Sequence, residues 1–244
     1  MRYVISTELK ERLSAKKGYK MIFDLFRHGF SIEVVISLLA RVFVVFCTLP
    51  VHEFAHAFVA TKLGDETARL KGRLTLSPLA HIDPIGALMI FLVGFGYAKP
   101  VPVNARNFKN PRAGMALTAL AGPGANIIMA LIFMLLVNVF EIVFFNTASV
   151  FANAAYLFFY AAASVNVSLA VFNLLPIPPL DGSRIATLLI PSKYYFKIMQ
   201  YERYIILAVF VLIFVGVLDI PLNFLTNLVM KAVSFIAGLP FSFI

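Results

Sequence analysis

Five residues, His52-Glu53-Phe54-Ala55-His56, combine the types and the spacing that metal-assisted hydrolysis needs. On a helix, positions i and i+4 share one face. Both imidazoles can then reach one zinc ion, and Glu53 sits beside the water that the ion activates. Zinc lowers the pKa of such a water to about 7, and a neighbouring carboxylate can take its proton and pass it to a leaving amine. The chain has four histidines in 244 residues, and random order would yield about 0.002 motifs of this kind. The competing reading is two core histidines and a buried glutamate. It is costly, because a carboxylate in an apolar helix needs a partner or a task.

A catalytic zinc takes three protein ligands and keeps one position open. The other two histidines, His28 and His81, lie away from the motif, and His81 reads as a hydrogen-bonded residue rather than a ligand. The acids in or beside apolar segments are Glu33, Asp83, Glu141, Asp181 and Asp219. Asp181 closes the run Leu174-Leu175-Pro176-Ile177-Pro178-Pro179-Leu180-Asp181-Gly182 after a long apolar stretch. Prolines there break helical pairing, so the backbone must be satisfied by protein or by a water-filled cavity. A buried site could receive a carboxylate at such a place. Asp181 reads equally well as a helix N-cap, because Asp-Gly-Ser opens the next segment. The lone Cys47 excludes an internal disulfide and a cysteine-based zinc site.

The elements that must position these residues are membrane helices. The chain is 61% hydrophobic and 14% charged, against roughly half and a quarter in soluble domains. We expect an all-α polytopic membrane protein with about five to six transmembrane helices, each needing roughly 20 apolar residues. Apolar runs fall at 32–61, 114–140, 152–175, 204–218 and 221–244. Residues 85–97 are too short to cross and suit a re-entrant or interfacial piece. The stretch Arg69-Leu70-Lys71-Gly72-Arg73-Leu74-Thr75-Leu76 alternates polar and apolar around a glycine, which predicts a small membrane-associated β-hairpin. Residues 1–30 read as a basic tail or interfacial helix rather than a cleavable signal. Residues 31–244 read as one membrane-embedded domain with its catalytic core at about 42–203. The net charge of +9 belongs with cytoplasmic loops and anionic headgroups, not with nucleic acid. Basic loops at 62–73, 98–113 and 182–203 should share the cytoplasmic side, which brings residues 52–56 and 181 towards that face.

HEFAH in an early apolar segment, followed by Asn173-x-x-Pro176-x-Pro178-Pro179-Leu180-Asp181-Gly182 in a later one, resembles the site-2 protease family of intramembrane zinc metalloproteases. The resemblance covers roughly residues 42–203 and points to the compact members without PDZ or CBS domains. It implies one Zn²⁺ per chain held by His52, His56 and Asp181, with Glu53 as general base and Asn173 near the reacting carbonyl. It implies transmembrane protein substrates cut in or near their spans, and a lipid bilayer as surroundings. Gly64-Asp65 through Gly86 and Ala98 through Asn104 are also similar to segments of that family, where extended strands can pair with an unwound substrate by main-chain hydrogen bonds. On this basis Pro102, Asn104, Gly122 and Asn126 are candidate substrate-binding residues. For Asn126, close helix packing through Ala121-Gly122-Pro123-Gly124-Ala125-Asn126 is the competing role. A metal-binding scaffold or transporter is the rival function, but the spans 114–140 and 152–175 offer no charged residue to an ion path. A prokaryotic cytoplasmic membrane is the expected location. Oligomeric state and substrate identity are not legible.

Overall fold

The computed structural model describes residues 32–93, 98–144, 150–189, 197–198 and 200–242. Helix α1 (Ile32–Phe43) passes through a π-helical turn (Val44–Thr48) into α2 (Leu49–Lys62), forming one apolar helix of 31 residues. Short helices α3 (Thr67–Leu70), α4 (Pro78–His81) and α5 (Pro84–Val93) follow. Helix α6 (Pro111–Val143) starts with Pro111 in its first turn, and the Asn110 side chain accepts from the Ala113 amide at 3.2 Å, which satisfies one free helical N–H. Then come α7 (Val150–Asn173), α8 (Asp181–Ala186), α9 (Glu202–Val215) and α10 (Asp219–Gly238).

Among the described residues, four helices are long and apolar enough to cross a bilayer: Ile32–Lys62, Pro111–Val143, Val150–Asn173 and Asp219–Phe241. The shared core joins Ile36 and Ala40 of α1, Phe133 and Val137 of α6, Val167 and Leu169 of α7, and Met230 and Val233 of α10. Ala40, Ala130, Ala162 and Ala163 are wholly buried, and such small residues let membrane helices approach closely. Ile128, Ile132, Phe224 and Phe235 point outwards, as a lipid-facing surface requires.

One expectation is corrected here, and another finds no support among the described residues. The fifth or sixth span is not found among the described residues: α9, at the predicted 204–218 span, is 14 residues long, short of the roughly 20 a crossing needs. The β-hairpin is absent, and no strand occurs among the described residues. Gly72 does adopt φ +68°, but as the end of a helix. Arg73 donates its amide to the Ala68 carbonyl (2.9 Å) and Gly72 donates to Arg69 (3.0 Å), the paired bonds of a Schellman closure. A left-handed glycine serves a hairpin or a helix C-terminus equally well, and the alternation around it was too short to decide. Asp83 accepts the amides of Ile85 and Gly86 at 3.0 Å each and so caps α5.

Candidate active site

Each helix contributes to the site for a local reason. In α2, Pro50 lies in the first turn, and His52, Glu53 and His56 follow on a buried face. The π turn directly before α2 inserts one residue into the helical register, and such bulges recur at functional sites. Leu49 donates its amide to Val44, closing the i→i+5 bond. After α7 ends at Asn173, the proline-rich loop folds back on itself. A Cβ on Gly182 would lie 2.2 Å from the Leu174 carbonyl oxygen and 2.4 Å from that of Leu175. Only glycine permits this closeness, and it returns Asp181 to the level of the histidines.

The result is a compact ligand set. His52 Nε2 and His56 Nε2 are 3.0 Å apart. Asp181 Oδ2 lies 3.4 Å from the first and 3.2 Å from the second. His56 donates its Nδ1–H to the Thr118 carbonyl of α6 at 2.7 Å. That bond selects the tautomer whose Nε2 lone pair faces His52 and Asp181, the usual outer support of a metal-bound imidazole. His52 Nδ1 is buried with no hydrogen-bond partner among the described residues. Two neutral imidazole nitrogens and one carboxylate oxygen, close and largely buried, match the donor set of a catalytic zinc. The N-cap reading of Asp181 loses ground, since Leu180 precedes α8 as its cap and Asp181 opens the helix.

The site opens into a cavity of about 430 Å³. Glu53, Asn173 and Arg184 line it with the ligands, and Leu169, Phe172, Ile206 and Val209 give it apolar walls. Asn173 donates Nδ2–H to the Leu169 carbonyl at 3.0 Å, which leaves its amide oxygen uncommitted by that bond.

The remaining sequence candidates fall differently. Gly122 lies against the ligands: a Cβ there would meet His56 Nε2 at 2.3 Å and His52 Nε2 at 2.6 Å. A side chain at this position has no room beside the imidazoles. Asn126 is 1% exposed, with neither side-chain atom bonded among the described residues, and it is not part of the cavity lining. Pro102 and Asn104 are also outside the lining, although Pro100, Val101 and Val103 beside them form part of it. The Asn104 side chain accepts from the Arg106 amide at 3.2 Å and caps a 3₁₀ turn, Ala105–Asn107. Sequence reading missed Thr118, which acts through a backbone carbonyl that any residue supplies. It also missed Arg184, whose only signal was a position three residues after Asp181.

Fold and site together define a class: multi-pass membrane proteins with a largely buried His, His, Asp group that could hold a metal ion. Residues 137–217 match Peptidase family M50. The chain is 44% identical over 153 residues to YwhC of Bacillus subtilis (strain 168), which has the provisional name of a zinc metalloprotease; the match covers 63% of this chain and 70% of YwhC. Rip2 of Mycobacterium tuberculosis (strain H37Rv), named in the same provisional way, is 35% identical over 140 residues, and Rip2 of Mycolicibacterium smegmatis is 33% identical over 144. The chain spans about half the length of these Rip2 proteins (51%). No solved structure matches it. The chain belongs to peptidase family M50, the site-2 protease family of intramembrane zinc metalloproteases.

Proposed function

We propose that His52, His56 and Asp181 hold the zinc ion, that Glu53 is the general base, and that the cavity receives an unwound segment from the span of another membrane protein. The observation that carries this is the meeting of two motifs distant in sequence, with Asp181 Oδ2 within 3.4 Å of both histidine Nε2 atoms. When bound, zinc supplies Lewis acidity, which acidifies water and polarises a carbonyl. The protein does the rest. Thr118 holds His56 in one tautomer. Glu53 takes a proton from the attacking water and returns it to the amine nitrogen of the leaving strand. Asn173, on the cavity wall, has a second Nδ2–H beyond the one given to Leu169, and it donates this to the carbonyl oxygen as negative charge develops there. The apolar walls exclude bulk water and accept the side chains of a membrane segment. Basic loops on either side of the site orient this end of the bundle towards the cytoplasm of a prokaryotic cell. Residues 31–244 act as one domain.

The test compares purified wild type with His56→Ala and Glu53→Gln in detergent. Wild type should carry about one zinc per chain and cut a transmembrane peptide. His56→Ala should lose the metal. Glu53→Gln should keep it and lose turnover by about 10²–10⁴-fold, the usual scale of a positioned acid–base group. A Glu53→Gln protein that cuts at the wild-type rate would remove Glu53 as base.

A further inference from the structure

One wall of the cavity is not helical. Pro100, Val101 and Val103 line it, in a stretch that reaches Asn104 with extended backbone (φ −110°, ψ 105°). Proline at 100 and at 102 removes two of the amides such a stretch could use to hold itself in place. Its upstream end is fixed where Lys99 donates its amide to the His81 carbonyl at 2.7 Å. Its downstream end is fixed by one side chain, Asp65, which is 0% exposed.

Both oxygens of Asp65 are committed. Oδ2 accepts the Asn104 amide at 2.6 Å. Oδ1 accepts Asn107 Nδ2–H at 2.7 Å, the Thr67 amide at 3.1 Å and the Thr67 hydroxyl. The Asp65 amide in turn donates to the Ala60 carbonyl of α2 at 2.9 Å. Gly64, with φ +105°, reverses the chain so that Asp65 can turn back beneath α2. Capping α3 would require only Oδ1 and Thr67. The second oxygen and the two donors from residues 104 and 107 go beyond that need, and they join the end of the histidine helix to the cavity wall. Val101 packs with Ala57 of α2 and Ala68 of α3 between these two anchor points.

We infer that Asp65 is a positioning residue for substrate: by tying Asn104 and Asn107 to the end of α2, it holds the Pro100–Val103 wall at a set distance from Glu53 and the histidines. The inference rests on the proteolytic reading of the cavity. Asp65→Asn places an amide donor where a carboxylate oxygen received one, so at least one of Asn104 and Asn107 loses its acceptor.

The experiment has two readouts. The first is amide hydrogen exchange at Val101, Val103 and Asn104 in the zinc-loaded protein. The second is the Kd of a fluorescein-labelled synthetic Ala/Leu/Val-rich transmembrane peptide of about 20 residues, measured in micelles in a Glu53→Gln background so that bound peptide stays whole. With Asp65→Asn, exchange at the three amides should rise while the amides of α2 stay protected. Zinc content should hold at one per chain, and Kd should increase about tenfold, the loss expected for a charged hydrogen bond. Asp65→Asn with Asn107→Asp restores an amide–carboxylate pair in exchanged positions and should bring Kd back to within about threefold of the reference. If Asp65→Asn fails to fold, Asn107→Leu removes one donor from an exposed position and should give the same exchange signature with a Kd increase of about threefold. Unchanged exchange at 101–104 overturns the inference. So does faster exchange with unchanged Kd, which would make the wall anchored but unused. A wild type that binds the peptide with this Asp65 dependence yet never cuts it would overturn the proteolytic reading and leave the anchor standing. A wild type that cuts peptide with no Asp65 effect would do the reverse.

Discussion

Gly122→Ala tests whether α6 really presses on the metal ligands. The added methyl would lie 2.3 Å from His56 Nε2 and 2.6 Å from both Cε1 and Nε2 of His52. Both imidazoles belong to buried residues, and His56 is held in place by Thr118 at 2.7 Å, so neither ring has a free direction of retreat. Forcing a methyl into a packed site costs about 1–3 kcal/mol. Alanine in place of glycine returns at most about 1 kcal/mol of helix propensity, so the fold should survive with nearly unchanged stability. The cost falls on the geometry of the ligands. If it is expressed there, 1–3 kcal/mol corresponds to a zinc Kd about 5–150-fold weaker. Gly124→Ala is the matched control, because nothing lies within 4 Å of its added methyl. Competition with a chromogenic chelator on detergent-solubilised protein would read both affinities. Gly122→Ala with wild-type zinc affinity, or Gly124→Ala with an equal loss, would refute the argument that glycine at 122 exists to admit the histidine rings.

Two further outcomes follow from the same geometry. Asp181→Ala removes a ligand while leaving α7 and α8 intact; wild type should gain about 2.7 kcal/mol of stability at a zinc concentration 100 times Kd, and the variant should gain almost none, as read by thermal unfolding with and without added metal. Burial opposes the charge on Asp65, but the Thr67 hydroxyl, the Asn104 amide and the Asn107 side chain hold its carboxyl below the ordinary value of 3.8. A depressed folded pKa contributes stability that is complete above the unfolded value and is lost as pH falls through the folded one. The stability gap between zinc-free wild type and Asp65→Asn should therefore be constant from about pH 5 to 8 and narrow below about pH 4, which thermal melts across that range would check.

The candidate metal-binding group was only partly legible, because only its histidines have a local signature. HEFAH announces itself by helical spacing. Asp181 was ambiguous from chemistry alone, and what brings it beside the histidines lies in three dimensions: the loop after Asn173 doubles back, and Gly182 packs on the Leu174 and Leu175 carbonyls. No pattern of spacing in one dimension states that two segments so distant in sequence meet. The apolar runs located the four long helices well, since a bilayer demands length and hydrophobicity and little else. At 204–218 the described residues show no helix of that length: α9 ends at Val215, and Gly216 turns left-handed with φ +85°.

What escaped the sequence shares one physical character. Thr118 supports His56 through a backbone carbonyl, so its side chain carries no trace of the role. Asp65 looks like a turn residue, because Gly-Asp after a helix is an ordinary place for an Asx turn. It does cap Thr67, and the capping hides the second bond, to Asn104. Polar atoms with two duties report only the local one in sequence. The same holds for Gly72, which reads as a hairpin and closes a helix, and for Gly122, which reads as a substrate-binding candidate and lies against the His52 and His56 rings. In each case the residue type narrows the backbone conformation or the volume available, while the neighbour that makes use of it comes from another segment. That asymmetry explains why the chemistry of this site could be read from five consecutive residues, whereas the parts that hold the chemistry in register had to be seen in place.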